Sequence, residues 1–221
     1  MHSVTELRLQ YHQRLHDIDA AVRQMISLVE QDILNAGEAF LRADDKAADA
    51  LEANDRVIEE SYEQVEQLVM TQFIRQAPVA GELRFLLTVF RILPELVSAH
   101  EQAAQLARKG LTGLASELPD RVRCLISELI DAAAQMWRQV GAVYLSGSAE
   151  IADDTEADDD ELDELHASLS AELASANLRA PVLLEMGLTA RLLERLGDHA
   201  VEIARQIEGL SPPRLTTGAD S

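Results

Sequence analysis

The chain has 221 residues and a formal net charge of −20 at pH 7, with 39 acidic residues against 19 lysines and arginines. A surface this acidic repels nucleic acids and anionic lipids, because affinity for both comes largely from Lys and Arg. The composition therefore argues against nucleic-acid binding and direct membrane docking. It favours a cation or a basic protein surface as the partner.

The interior must be built mainly from Ala and Leu, since 47% of the residues are hydrophobic but only 4% are aromatic. Such a core is typical of helix bundles. No apolar run approaches the roughly 20 residues that cross a bilayer, and no signal-peptide pattern opens the chain. Cys124 is the single cysteine, so no intrachain disulfide is possible. We therefore expect a cytoplasmic protein.

Helical periodicity dominates the first half. Apolar residues recur every three or four positions through residues 7–33 and, after a break, through residues 51–73, which predicts two amphipathic helices. A third helix opens near Pro78, a residue favoured in a first helical turn, and continues to Leu106. Pro94 is expected to kink or split this helix, because it lacks an amide donor.

The pattern then starts again. Residues 109–120 contain two Gly and a Pro and read as a linker, and apolar stripes follow in residues 122–143, 162–173 and 188–207. No segment has the alternation of a β-strand. The repeated order of three helices predicts an internal duplication. We expect an all-α fold of two tandem three-helix bundles, with the boundaries 1–108 for the first repeat, 109–120 for the linker, 121–210 for the second repeat and 211–221 for a disordered tail.

Pairs of acidic residues four apart project from one helical face, about one turn from each other. They occur at matched places in the two halves and on the last helix: Asp55 with Glu59, Asp159 with Asp163, and Glu194 with Asp198. Two such pairs on facing helices would gather about four carboxylates, and their repulsion favours a bound cation. Oxygen ligands suit Mg, Mn, Ca or iron.

A plainer interpretation stands beside this one. In a chain with 39 acidic residues such spacings arise by chance, and a solvated face would explain the pairs on the second and fifth helices. Glu194 and Asp198 share their face with small residues such as Gly197, which favours close helix contact. Glu101 continues an apolar row of the third helix, so it either reaches solvent or points into a site between helices.

The remaining polar residues favour no catalytic site. The histidines are scattered, and His100 and His199 are interpreted as surface or capping residues. Cys124 and Trp137 lie by apolar stripes and are interpreted as core. The sequence has no Glu-x-x-His pair of a di-iron bundle, no Gly-rich phosphate loop and no serine elbow. We therefore do not expect an enzyme.

The helices in this order resemble the PhoU family of phosphate-signalling proteins over about residues 4–210. The resemblance lies in the strings LRLQYHQRLHDIDAAVRQM, ALEANDRVIEESYEQVEQL, RQAPVAGELRFLLTVFRI, DDDELDELH and, most specifically, LLERLGDHAVEIARQI. The last string carries the Glu/Asp-x-x-x-Asp signature of the family. The family fold, two similar three-helix bundles, agrees with the periodicity.

The resemblance also implies a metal, since such proteins are associated with iron or other divalent metals, among them Mn, Zn, Mg and Ca. By match, the ligands in the second half would be Asp159, Asp163, Glu194 and Asp198. In the first half Asp55 and Glu59 match, and the signature falls on Val97 and Glu101. Glu101 replaces the usual Asp, Val97 replaces the other carboxylate, and the string Val-Ser-Ala-His-Glu stands where the family has Glu-Arg-x-Gly-Asp. We expect the metal site of the first half to be weak or lost.

The resemblance further implies a negative regulator of phosphate uptake and of the phosphate-starvation response. Such an adaptor, expected to be a homodimer, would contact the ATPase subunit of the phosphate ABC transporter and a sensor histidine kinase. Three alternatives stay open: a diverged paralogue outside phosphate control, a metal-dependent enzyme, and a plain helical assembly protein.

Overall fold

A computed structural model gives the conformation of residues 4–75, 78, 80–208 and 210. Among these residues it contains six α-helices, one 3-10 turn and no β-strand. The helices are α1 (Val4–Arg42), α2 (Asp45–Arg75), α3 (Ala80–Gly110), α4 (Asp120–Ser146), α5 (Ala149–Ser175) and α6 (Ala180–Ile207), and the 3-10 turn spans Leu114–Glu117. The prediction of an all-α fold is confirmed.

The helices form two three-helix bundles, α1–α3 and α4–α6, which share one apolar core. Each helix packs against the other two of its bundle, and the bundles meet through α1 against α4 and α3 against α6. The four helices at this junction bury the core, while α2 and α5 flank it on opposite sides. The predicted pair of tandem bundles, lying side by side, is confirmed.

Trp137 lies at the centre of the second bundle. Its side chain is completely buried, and the indole Nε1–H donates a hydrogen bond of 3.0 Å to the main-chain carbonyl of Leu196 on α6. The partner satisfies the polar end of a large apolar ring, which lets the ring be buried without an unpaired donor. The prediction that Trp137 is a core residue is confirmed.

The first helix of each bundle is followed by a residue in the left-handed conformation. These residues are Ala43, with φ 50°, and Gly147, with φ 66°. The N–H of Gly147 donates to the carbonyl of Val143 at 2.6 Å and closes α4. Glycine adopts this conformation freely, whereas the Cβ of Ala43 is crowded there. The same turn thus occurs in both repeats, but only the second repeat, with Gly147, adopts it without backbone strain.

The helix ends give the residue correspondence between the repeats. α1 and α4 end at Arg42 and Ser146, α2 and α5 begin at Asp45 and Ala149, and α3 and α6 end at Gly110 and Ile207. Counting from these ends gives the following equivalent pairs: Asp32 with Met136, Asp55 with Asp159, Glu59 with Asp163, Val97 with Glu194, His100 with Gly197, Glu101 with Asp198, and Gln102 with His199.

The structure corrects two local predictions. Of the kink or split expected at Pro94, the split does not occur, because α3 is continuous from Ala80 to Gly110. Both Pro94 and Phe90, whose carbonyl loses its amide partner, are exposed, so that carbonyl is open to solvent. Cys124 is exposed rather than buried. It faces away from the buried stripe of α4, and its thiol donates to Glu128 Oε1 at 3.1 Å.

Residues 109–120 are packed against the core in part. Lys109 and Gly110 complete α3, and Leu114, Ala115 and Leu118 are buried against the core. The predicted tail, residues 211–221, lies outside the described residues. In the part of the chain that the structure describes, no helix is both long enough and apolar enough to cross a membrane.

Candidate functional site

The second repeat brings three of its predicted carboxylates together across α5 and α6. Asp159 is half-buried, whereas Asp163 and Asp198 are exposed. Burial, and then the negative charges of Asp163 and Asp198, raises the pKa of Asp159 from 3.8 to about 6. The three carboxylates therefore lie close enough to repel one another when ionised.

Glu194, the fourth predicted carboxylate, forms an ion pair with a neighbour on its own helix. Its Oε2 lies 3.1 Å from Nη1 of Arg191, in an ion pair whose arginine side chain is 65% exposed. Such exposed pairs contribute only about 0–1 kcal/mol. The free energy lost when a divalent cation displaces Arg191 from Glu194 is therefore small.

Gly197 makes room beside Asp159. A Cβ placed on Gly197 would lie 3.0 Å from Oδ1 of Asp159 and 3.3 Å from Cδ1 of Leu162, tighter than ordinary van der Waals contact. The missing side chain lets α6 approach α5 and leaves the Asp159 carboxylate uncovered on that side. This agrees with the close helix contact that the small residues on this face predict.

The donors of the second repeat fit a hard divalent cation. An ion would relieve the repulsion that raises the pKa of Asp159. Across residues 4–75, 78, 80–208 and 210, however, no three His, Cys, Asp or Glu side chains already stand in a metal-holding arrangement. Binding would therefore require the exposed carboxylates to turn toward Asp159.

The first repeat has a groove at the corresponding place, between α2 and α3. The predicted residues Asp55, Glu59 and Glu101 all line it, together with Val97 and Arg108. Glu59 and Glu101 are exposed, so the apolar row that leads to Glu101 does reach solvent there. The groove differs from its counterpart because Asp55 is already paired within the protein.

That pairing is made by His100, which we predicted to be a surface or capping residue. The prediction is wrong, because the His100 side chain is only 4% exposed. Its Nδ1 lies 2.7 Å from Oδ2 of Asp32 on α1, and its Nε2 lies 2.6 Å from Oδ1 of Asp55 on α2. One imidazole thus ties α3 to both other helices of its bundle.

His199 is also buried, contrary to prediction, at the junction of the two bundles. Its Nδ1 lies 2.6 Å from Oε2 of Glu95, and its Nε2 lies 2.8 Å from Nε2 of Gln102, both on α3. The sequence reading missed Asp32, Glu95 and Gln102 altogether. For His100 a signal existed, because it falls in the buried row Val89, Leu93, Leu96 and Ala103 at helical spacing.

Comparison with known families identifies this architecture. The model of the PhoU domain matches residues 22–109 and again residues 126–207. The chain belongs to the PhoU family. The two matches fall on the two bundles, α1–α3 and α4–α6, so the internal duplication predicted from the helix order is confirmed.

Curated relatives are similar over nearly their whole length. The phosphate-specific transport system accessory protein PhoU homolog 1 of Mycobacterium tuberculosis is 28% identical over 204 residues, 91% of this chain and 92% of the relative. PhoU homolog 2 of the same organism is 27% identical over 206 residues, 91% of this chain and 96% of the relative. The names of both relatives describe accessory proteins of a phosphate transport system.

The fold is also that of a PhoU crystal structure. PhoU from Pseudomonas aeruginosa superimposes with a TM-score of 0.82 at 21% identity, covering 89% of this chain and 96% of the other. The likeness extends across both repeats and their junction. The chain therefore has the two-repeat PhoU fold rather than that of a single repeat.

Proposed function

We propose that this PhoU-family chain is a cytoplasmic negative regulator of phosphate uptake and of phosphate-starvation signalling. The observation that carries the proposal is the match of both repeats to the PhoU domain, together with relatives named as accessory proteins of a phosphate-specific transport system. The regulator acts by binding proteins and catalyses no reaction.

Its partners, in this proposal, are the ATPase subunit of the phosphate ABC transporter and a sensor histidine kinase. The net charge of −20 suits basic surfaces on such proteins. Large apolar side chains that stay exposed offer contact surface as well. They include Leu83, Leu87 and Phe90 on α3 and Leu184 and Leu188 on α6. The protein reaches the membrane through these partners and works as a homodimer.

A divalent metal, iron or one of Mn, Zn, Mg and Ca, belongs to the same proposal. Asp159, Asp163, Glu194 and Asp198 would hold it in the second repeat. The bound ion supplies positive charge that neutralises this acidic row. The metal would thereby tune how the α5–α6 face meets a partner. The residues themselves supply the oxygen ligands and, through Gly197, the space.

The decisive experiment is a deletion strain that carries a phosphate-starvation reporter and grows in high phosphate. We expect the reporter to switch on when the gene is deleted and to fall silent when a plasmid restores it. A reporter that stays off after deletion would contradict the regulatory role. Co-purification of the tagged chain with the transporter ATPase and the kinase tests the partners separately.

A second candidate is a diverged paralogue that acts as a metal-binding or scaffold protein outside phosphate control. Two observations favour it. One organism holds two relatives that match this chain about equally well, and the first repeat departs from the family signature at Val97 and His100. An unchanged reporter, together with metal retained by the purified chain, would support this candidate.

A further inference from the structure

The first repeat contains a buried cluster of charged groups centred on His100. Asp32 is fully buried, and its Oδ1 accepts a hydrogen bond of 2.7 Å from the Asn54 amide. Its Oδ2 and the Oδ1 of Asp55 face the two nitrogens of His100 at 2.7 and 2.6 Å. The imidazole ring therefore bridges two carboxylates from two different helices, with one ring nitrogen on each.

The second repeat lacks every part of this cluster except one carboxylate. Gly197 takes the position of His100, and the buried Met136 takes that of Asp32. Asp159, the equivalent of Asp55, is instead crowded by Asp163 and Asp198, whose charges the exposed Arg205 offsets only in part. The two repeats therefore treat the same carboxylate differently, because a buried histidine holds Asp55, whereas Gly197 leaves Asp159 without such a partner on that side.

The rest of the first groove also departs from a metal site. Val97 stands where the second repeat has Glu194, and it offers no ligand atom. The guanidinium of Arg108 lines the same groove as Asp55 and Glu59. A divalent ion entering here would meet the cationic side chain of Arg108, and it would find Asp55 already engaged by His100. The residues do not fit the metal that the family implies for this repeat.

We propose that the side chain of His100, which bridges Asp32 and Asp55, takes the place of a bound metal ion in the first repeat, so that the chain has a single metal site, in the second repeat. The count of one site rests on the metal binding proposed above. The role of His100 does not, because its contacts lie wholly within α1, α2 and α3. The partners of this protein therefore meet one face whose charge depends on metal and one whose charge is built in.

The test compares two equivalent substitutions, Asp55→Asn and Asp159→Asn, in the full chain. Each protein is stripped with a chelator and dialysed against Mn²⁺, and bound manganese is counted by elemental analysis. Asp159→Asn should weaken Mn²⁺ binding about tenfold or more, while Asp55→Asn should leave it unchanged. A loss of bound Mn²⁺ in Asp55→Asn would overturn the proposal. Asparagine keeps an acceptor for His100, so the fold should survive, as helical circular dichroism would verify.

A second measurement separates this inference from the proposed function. Nitrogen NMR of histidine-labelled protein, with His100→Gln to assign the signals, reports on both contacts of the ring: the Nδ1 signal should shift in Asp32→Asn and the Nε2 signal in Asp55→Asn. These shifts would support the bridge even if the wild-type chain binds no Mn²⁺ at all, a result that would remove only the metal part of the proposed function. Ring signals that respond to neither substitution would overturn the role of His100, whatever the metal content.

Discussion

Gln102 and His199 occupy equivalent positions in the two repeats and touch each other, with 2.8 Å between their Nε2 atoms. The contact lies at the junction of α3 and α6, where both side chains are buried. Two copies of one ancestral position thus meet at the centre of the duplicated fold. The junction is therefore held by a specific polar contact as well as by apolar packing.

This contact predicts energetic coupling between the repeats. In a double-mutant cycle with Gln102→Ala and His199→Ala, we expect a coupling energy of about 0.5–3 kcal/mol in the free energy of unfolding, because each single change leaves a buried polar group without its partner. Urea unfolding measures it. The exposed pair Arg56 and Glu60 on α2 is the control and should couple by less than about 0.5 kcal/mol. Equal coupling in both pairs would contradict the assignment.

The left-handed turns after α1 and α4 predict opposite effects of exchanging Ala and Gly. Ala43→Gly should raise the free energy of unfolding by about 0.5–1 kcal/mol, because relief of Cβ crowding exceeds the added chain entropy. Gly147→Ala should lower it by at least as much, since the new Cβ would meet the main chain of Leu210. Thermal unfolding of both variants measures these changes. A loss of stability in Ala43→Gly would contradict the backbone strain inferred at Ala43.

His100 predicts a stability difference that depends on pH. Burial lowers the pKa of His100, but the hydrogen bonds and charges of Asp32 and Asp55 outweigh it and raise the pKa above 6.5. The bridge therefore stabilises the fold fully below about pH 6.5, and its contribution is lost as the pH rises through the folded-state pKa. The stability advantage of the wild type over His100→Gln should shrink at alkaline pH in urea titrations.

The control for that experiment is His166→Gln, a half-buried histidine of α5. The difference in the free energy of unfolding between this variant and the wild type gives the pH-dependent effect of replacing a histidine that does not bridge two carboxylates. A His100→Gln difference that stayed constant from acid to alkaline pH, or that followed the His166→Gln background, would speak against the charged bridge.

Asp159 predicts a second loss of stability with rising pH, in protein stripped of metal. Its pKa is raised to about 6 by burial and by the charges of Asp163 and Asp198. The protonated form is thus favoured in the folded state, so the stabilisation is present below pH 3.8 and is lost as the pH rises through about 6. Asp159→Asn should therefore stabilise the metal-free protein above pH 6, by no more than about 1 kcal/mol because solvent screens a half-exposed group. The gain should vanish near pH 4.

The carboxylates of α6 predict a loss of metal without a loss of fold. Glu194→Ala combined with Asp198→Ala should lower the bound Mn²⁺ or iron, while helical circular dichroism stays unchanged because neither side chain belongs to the core. The matched control in the first repeat is Glu59→Ala with Glu101→Ala. Metal content that survives the α6 double variant would remove the assignment of this site.

The sequence predicts the helices and the placing of the carboxylates because both depend on short-range spacing. The apolar rows predicted the order of α1–α6, and spacings of four placed Asp159 and Asp163 on one helical face. The loop residues Gly147 and Ser148 also fall between the predicted apolar stripes 122–143 and 162–173. Trp137 could be assigned to the core because a large ring on an apolar stripe has few other places to go.

The errors concern residues whose environment is decided by other helices. His100 was misjudged because its partners Asp32 and Asp55 lie on α1 and α2, far away in the chain. Glu95 and Gln102 went unnoticed because their partner His199 belongs to the other repeat. Cys124 was assigned to the core from its neighbours alone, although a one-residue step on a helix turns a side chain by about 100°.

The buried Trp137 is an intrinsic fluorescent probe of the second repeat. It is the only tryptophan, and its indole is enclosed between α4 and α6 with its N–H on the Leu196 carbonyl. Its fluorescence therefore follows the second repeat alone, while the far-ultraviolet circular dichroism follows the helices of both. Because the two bundles share one core, the two signals should disappear together during unfolding. A shift of the emission on adding metal or a partner, with the dichroism unchanged, would indicate that the ligand changes the surroundings of Trp137 in α4–α6. It would carry no information on the first repeat.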